Sequence, residues 1–170
     1  MNKKIIKIFT IMTILTLILG TLSHFTYEWS GNNSIVGIFS AINESTWEHL
    51  KLTFYPMLLI GIIGYYFLKD LSNNYIEGLT IGILISILFT VVFFYGYRFI
   101  LGKNIAFLNI LDFILSVILG YIAFYKIITM EDSSTIYSKS LSIIILILLC
   151  ICFTTFTVFP PNCKIFISPV

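Results

Sequence analysis

Five long apolar stretches constrain this chain more than any other feature. They run over about 5–25, 52–68, 76–99, 105–128 and 139–159. A helix that crosses a bilayer needs about 20 mostly apolar residues, and each stretch meets that requirement. The intervals between them carry turn and charge signals: Thr26 to Ser34 with Gly31-Asn32-Asn33, Lys69 to Tyr75, Gly102 to Asn104, and Met130 to Ser138. Pro160-Pro161 ends the last stretch, since proline cannot continue a helix. Charged residues make up 11% of the 170 residues and hydrophobic ones 58%. Soluble domains carry about 25% and 45–50%, so a water-facing surface cannot be built here. The reading is an all-α, polytopic membrane bundle, one domain over residues 1–170, whose principal partner is the lipid bilayer. A net charge of +2 leaves no electrostatic footprint for a nucleic-acid partner.

Lys3, Lys4 and Lys7 precede the first stretch. Its apolar run is longer than the roughly 7–15 residues of a signal-peptide core, and no small-x-small cleavage site follows. It is read as a retained anchor. With the N-terminus inside, the inner ends hold Lys3, Lys4, Lys7, Lys69, Lys126 and Lys139, against Lys51, Arg98, Lys103 and Lys164 outside. That bias puts the N-terminus in the cytoplasm. Cys150, Cys152 and Cys163 make neither a disulfide framework nor a zinc pattern.

Small residues mark where membrane helices touch, because apolar side chains gain little by exchanging lipid for protein. The third span shows Gly78, Gly82, Ser86 and Thr90 at spacing four; the fourth shows Asp112, Ser116 and Gly120, and the first Thr16, Gly20 and His24. An ionised Asp near mid-membrane costs at least ~2.5–3.5 kcal/mol. Asp112 is therefore expected to face the bundle, toward His24, Arg98 or Glu48.

Residues 35–55, IVGIFSAINESTWEHLKLTFY, are too polar to cross a bilayer and too apolar for an ordinary loop. Ser45-Thr46-Trp47-Glu48 fits a capping box, and Asn43 is an alternative cap. An interfacial or re-entrant helix over about 35–51 is expected, with Ser40, Glu44, Glu48, Lys51 and Tyr55 on one face and His49 on its flank. Tyr27, Trp29, Trp47 and Tyr55 suit an interfacial aromatic belt.

The topology then gathers polar residues that are scattered in sequence. His24, Glu28, Asn43, Glu44, Trp47, Glu48, His49, Lys51, Arg98 and Asp112 all fall toward the outer half of the membrane. Three chemistries suit them. In one, Glu44 and Glu48 pair with Lys51 and Arg98 as a structural network, as in a subunit without catalytic activity. In the second, the residues form a pocket that binds or moves a small polar ligand or an ion. The third is a site for a divalent metal, hydrolytic in character, with His24, Glu44, Glu48 and His49 as candidate ligands. No HExxH, nucleophile elbow or glycine-rich phosphate loop accompanies it, so no catalytic residue or organic cofactor is assigned.

His24-Phe25-Thr26-Tyr27-Glu28-Trp29-Ser30-Gly31-Asn32-Asn33 and Asn43-Glu44-Ser45-Thr46-Trp47-Glu48-His49-Leu50-Lys51 resemble a family of small multi-pass membrane proteins from Gram-positive bacteria. It is a domain family of unknown function. The resemblance is strongest over roughly 20–56, extends to Phe159-Pro160-Pro161, and implies a bacterial cytoplasmic membrane. It implies no activity, substrate or cofactor. The tail departs from the family pattern, with Ser168-Pro169-Val170 where relatives run through an Asp-Pro and a short Gly-containing end. If that end helps close an outer pocket, the pocket is altered here or the chain is a truncated member.

Overall fold

The computed structural model describes residues 3–168, so Pro169 and Val170, the end of the divergent tail, lie outside the described residues. Six α-helices follow in order: α1 (Lys3–Trp29), α2 (Ser34–Phe39), α3 (Thr46–Leu68), α4 (Tyr75–Leu101), α5 (Ala106–Ile128) and α6 (Ile136–Val158). A 3-10 turn over Lys164–Phe166 closes the described chain, and no strand occurs among the described residues. All except α2 are long and apolar enough to cross a membrane, which makes this a multi-pass membrane protein. The first helix overruns its apolar stretch at the C-terminal end. There Thr26 turns its hydroxyl back onto the Ser23 carbonyl, as Thr21 and Ser23 do one turn earlier onto Leu17 and Gly20, so polar side chains do not end it.

The interval between α1 and α3 departs from the expected continuous helix. Gly31 and Asn32 adopt left-handed conformations, φ 69° and 61°, and reverse the chain. Asn33 then caps α2 by accepting from the Ile35 and Val36 amides. After six residues α2 stops at Ser40, whose backbone is extended, φ −108° and ψ 157°, and whose buried hydroxyl is tied to α1. It donates to the Ser23 carbonyl and accepts from the Tyr27 amide at 3.0 Å, inserting itself between two groups one turn apart on α1. Residues 40–45 therefore leave helical geometry, and Ser45 starts α3 by accepting from the Glu48 amide. Only half the capping box forms: the Ser45 amide donates to Asn43 Oδ1, and the Glu48 carboxylate goes to other work.

Small residues do make the helix contacts. On α4, Gly78, Gly82, Ser86 and Thr90 are all buried, as are Asp112, Ser116 and Gly120 on α5. A Cβ on Gly120 would stand 2.2 Å from Ser86 Oγ and 2.7 Å from the Gly82 carbonyl, so only glycine permits this approach. Ser86 closes it by donating to the Ser116 carbonyl at 2.6 Å. The α1–α3 contact has a related origin. Pro56 lacks the N–H that would bond the Leu52 carbonyl, and that carbonyl lies against Gly20, 2.4 Å from where a Cβ would be. At the opposite end of the bundle, Asn74 donates to the Ile127 and Glu131 carbonyls and accepts from the Ser133 amide.

Glu48 and Lys51, one turn apart on α3, are almost wholly buried and form an ion pair with Nζ–Oε2 of 2.6 Å. The remaining valences are filled from three other segments. Lys51 donates to the Gly37 carbonyl of α2 at 2.7 Å and to Thr157 Oγ1 of α6 at 3.0 Å. Thr157 donates to Glu48 Oε1, and the Ile42 amide donates to Glu48 Oε2. This is the expected structural pair in part: Glu44 and Arg98 take no part in it. Losing one member of a buried pair strands the other, at about 3–5 kcal/mol. Lys51→Ala should therefore lower the melting temperature of the detergent-solubilised protein far more than Glu44→Ala, whose exposed carboxylate contributes under about 1 kcal/mol. Glu48→Ala with Lys51→Ala should cost less than the sum of the singles; strict additivity in thermal melts would contradict the pairing.

Candidate functional site

Beside that buried pair, the same loop builds a second polar cluster of a different kind. Because Ser40 holds the chain against α1, the next residues pass over the last turns of that helix, and Glu44 faces His24. Its carboxylate lies 3.9 Å from His24 Nε2 and 3.5 Å from His49 Nε2. The two imidazoles meet edge to face, with centroids 5.2 Å apart. His49 sits in the first turn of α3, where its Nδ1 is 2.9 Å from the Ser45 carbonyl oxygen. A carbonyl only accepts, so Nδ1 carries a proton, and in the neutral ring the lone pair is on Nε2, on the side of Glu44 and His24. One ligand-type atom from each of His24, Glu44 and His49 can be chosen so that all lie within 4.8 Å of one another.

Behind this triad a cavity of about 60 Å³ descends between α3, α4 and α5. Glu44 and His49 form its mouth; Thr53, Thr90, Phe94, Asn109 and Asp112 are among the residues that line it. Asp112 is 3% exposed, and its Oδ1 is buried with no hydrogen-bond partner among the described residues. One turn deeper, Met57, Ser86, Ser116 and Val117 are fully buried and packed, which makes the cavity a cup. A shallower depression of about 270 Å³ lies on the outer side of the triad, lined by His24, Glu28, Asn43 and Glu44 among others. Glu44 separates the two spaces.

The ten residues singled out from the sequence thus divide. His24, Glu28, Asn43, Glu44, His49 and Asp112 line one space or the other. Glu48 and Lys51 do not, being sealed against α2 and α6, so Glu48 is no ligand candidate. Trp47 is a packing residue, its ring against Phe153, Phe156 and Phe166. Arg98 sits over the Phe94 ring at 5.4 Å, lines neither space, and forms no ion pair with a described residue. Asp112 faces the bundle as expected, but none of His24, Arg98 or Glu48 bonds it. The sequence reading missed Asn104 and Asn109, which flank the cavity and meet at the Tyr97 hydroxyl, 2.9 and 2.5 Å away. Asn109 and Asp112, three apart on α5, share a helical face, and that spacing was the available signal.

Compared with known proteins, the sequence matches no curated protein and no solved structure. Its whole length, residues 1–170, matches one family model, that of a family of unknown function. The chain, a multi-pass helical protein with this cup at one end, belongs to that family of unknown function, DUF6512.

Proposed function

We propose that the protein binds a small cation in the cup beneath Glu44. One observation carries this reading: the described lining includes two carboxylates, Glu44 and Asp112, and no lysine or arginine. Lys51 is paired with Glu48, and Arg98 lies over the Phe94 ring. In a membrane protein, a buried acid without a partner costs several kcal/mol unless something satisfies it, and a cation in the cup would do so. Since a water needs about 10–15 Å³, about 60 Å³ suits an ion with a few waters and excludes a large headgroup. The packed layer under the cup favours binding over conduction.

We place the cup on the outer side of a bacterial cytoplasmic membrane, following the lysine bias at the N-terminus. Single cysteines introduced into a variant lacking the native three should report this to an impermeant thiol reagent. Labelling from outside is expected at Asn32 and Lys103 and none at Ser72 or Ser133; the reverse pattern would invert the orientation.

Cation binding is read by thermal melts in mild detergent at constant chloride, with Na⁺, K⁺, Mg²⁺, Ca²⁺, Zn²⁺ and methylammonium compared. A ligand at 100 times its Kd adds about 2.7 kcal/mol, or roughly 5–10 °C for a chain of this size. At least one of these cations should raise the melting temperature by that order, and Asp112→Asn together with Glu44→Gln should remove the shift. If no cation stabilises the protein, or the double variant responds equally, the reading is wrong.

A further inference from the structure

The mouth of the cup differs chemically from its floor. Hard cations such as Ca²⁺ and Mg²⁺ are held by oxygen alone, whereas imidazole nitrogen suits Zn²⁺ and its neighbours in the transition series. Two imidazoles and a carboxylate converge at Glu44, where the cup meets the neighbouring depression, and they include both histidines of the chain. We infer that the cation is a divalent transition metal of the Zn²⁺ class, held by His24 Nε2, His49 Nε2 and the Glu44 carboxylate, with its open position directed into the cup toward Asp112. This inference rests on the proposed cation binding and specifies the ion.

Three observations beyond the composition of the triad support it. The first is distance. A tetrahedral shell with bonds of about 2.0–2.1 Å places its donor atoms about 3.4 Å apart. Glu44 Oε2 stands 3.5 Å from His49 Nε2 and its Oε1 3.9 Å from His24 Nε2, and one donor atom from each residue lies within 4.8 Å of the others, so the shell closes by drawing the three side chains together. Glu44, mostly exposed, and His24, partly so, are free to make that movement toward His49.

The second is the orientation of His49. A ligating histidine ordinarily donates its other ring N–H to a carboxylate or backbone carbonyl, which fixes the ring and leaves the ligating nitrogen unprotonated. The His49 Nδ1 contact with the Ser45 carbonyl does this. It exists because His49 stands four residues after Ser45, the N-cap of α3.

The third is Asp112. Three protein ligands leave a fourth position for water, as in catalytic rather than structural zinc sites. The cup extends from His49 and Glu44 to Asp112, whose Oδ1 is buried and without a hydrogen-bond partner among the described residues. A water on the metal would supply the missing donor, directly or through a second water, and the carboxylate would hold that water in place.

Cobalt(II) is the direct probe, because its visible absorption reports coordination number and ligand type. The full chain, with Cys150, Cys152 and Cys163 replaced by serine to remove competing thiolates, is purified in mild detergent and titrated with Co²⁺. The expected result is about one Co²⁺ per chain, with the intense visible bands of a four- or five-coordinate ion, displaced by Zn²⁺. His49→Gln and Glu44→Gln should each weaken Co²⁺ binding by roughly 10- to 100-fold or more, and Asp112→Asn should keep the stoichiometry while shifting the bands. His24→Gln serves as a second ligand variant should either of the others fail to fold. Loss of Co²⁺ binding while Na⁺, K⁺, Ca²⁺ or methylammonium still stabilises the protein would overturn this inference and leave cation binding standing. Failure of every cation would overturn both. Binding unchanged in the ligand variants would place the metal elsewhere and also overturn it.

Discussion

An ammonium group enclosed within a membrane bundle must be surrounded by acceptors, and much of the site end follows from how this chain surrounds Lys51. Water cannot solvate the group there, and an unpaired charge would cost several kcal/mol. Glu48 supplies the counter-ion from the preceding turn, but an ammonium has three protons to place. Gly37 and Thr157 take the other two, drawing α2 and the end of α6 onto α3. The Glu48 carboxylate must likewise fill its lone pairs, and the amide it takes is Ile42, in the loop. A pair three residues apart in sequence thereby joins four segments.

The consequence for the cup is a separation of charge. With Glu48 occupied and the loop held by Ile42 on one side and Ser40 on the other, the next acidic residue, Glu44, is carried away from Lys51 and set against the two histidines. The site end thus holds two kinds of polar structure. One is sealed, with each charge paired and its hydrogen-bond partners drawn from neighbouring segments, and its role is architectural. The other is half open, acidic, and contains a carboxylate oxygen with no partner among the described residues. Buried networks of the first kind fix a fold, whereas an unsatisfied buried acid in a membrane is a candidate site.

The spans were legible because the length of an apolar run is set by the thickness of a bilayer. The α4–α5 contact was legible for a similar reason: Gly82, Ser86, Ser116 and Gly120 repeat at helical spacing, and close approach of backbones needs small residues. Glu48 and Lys51, three apart, could be paired from spacing alone. The path of the chain between Phe39 and Thr46 could not. It depends on Ser40 inserting into α1, a contact to Ser23, seventeen residues earlier, and helical periodicity carries no trace of it. The same break explains why Glu44 and Glu48, assigned to one face, point to different sites. Trp47 and Arg98 were misplaced because their partners are rings supplied by tertiary packing or by their own helix, Phe153, Phe156 and Phe166 for one and Phe94 for the other. Charge and amphipathicity alone steer both residues toward a polar pocket.

The proposed division between a sealed pair and a cup that takes a cation is tested most directly by the coordination shell of a bound metal. Zinc K-edge X-ray absorption on the native protein, loaded with one equivalent of Zn²⁺ in detergent, reads that shell without any substitution. The account predicts a shell of nitrogen and oxygen alone at about 2.0–2.1 Å, with the outer-shell scattering of two imidazoles. A sulfur contribution at about 2.3 Å would assign the metal to the cysteines, and an imidazole count of zero would remove His24 and His49 from the site. Either result would contradict the account.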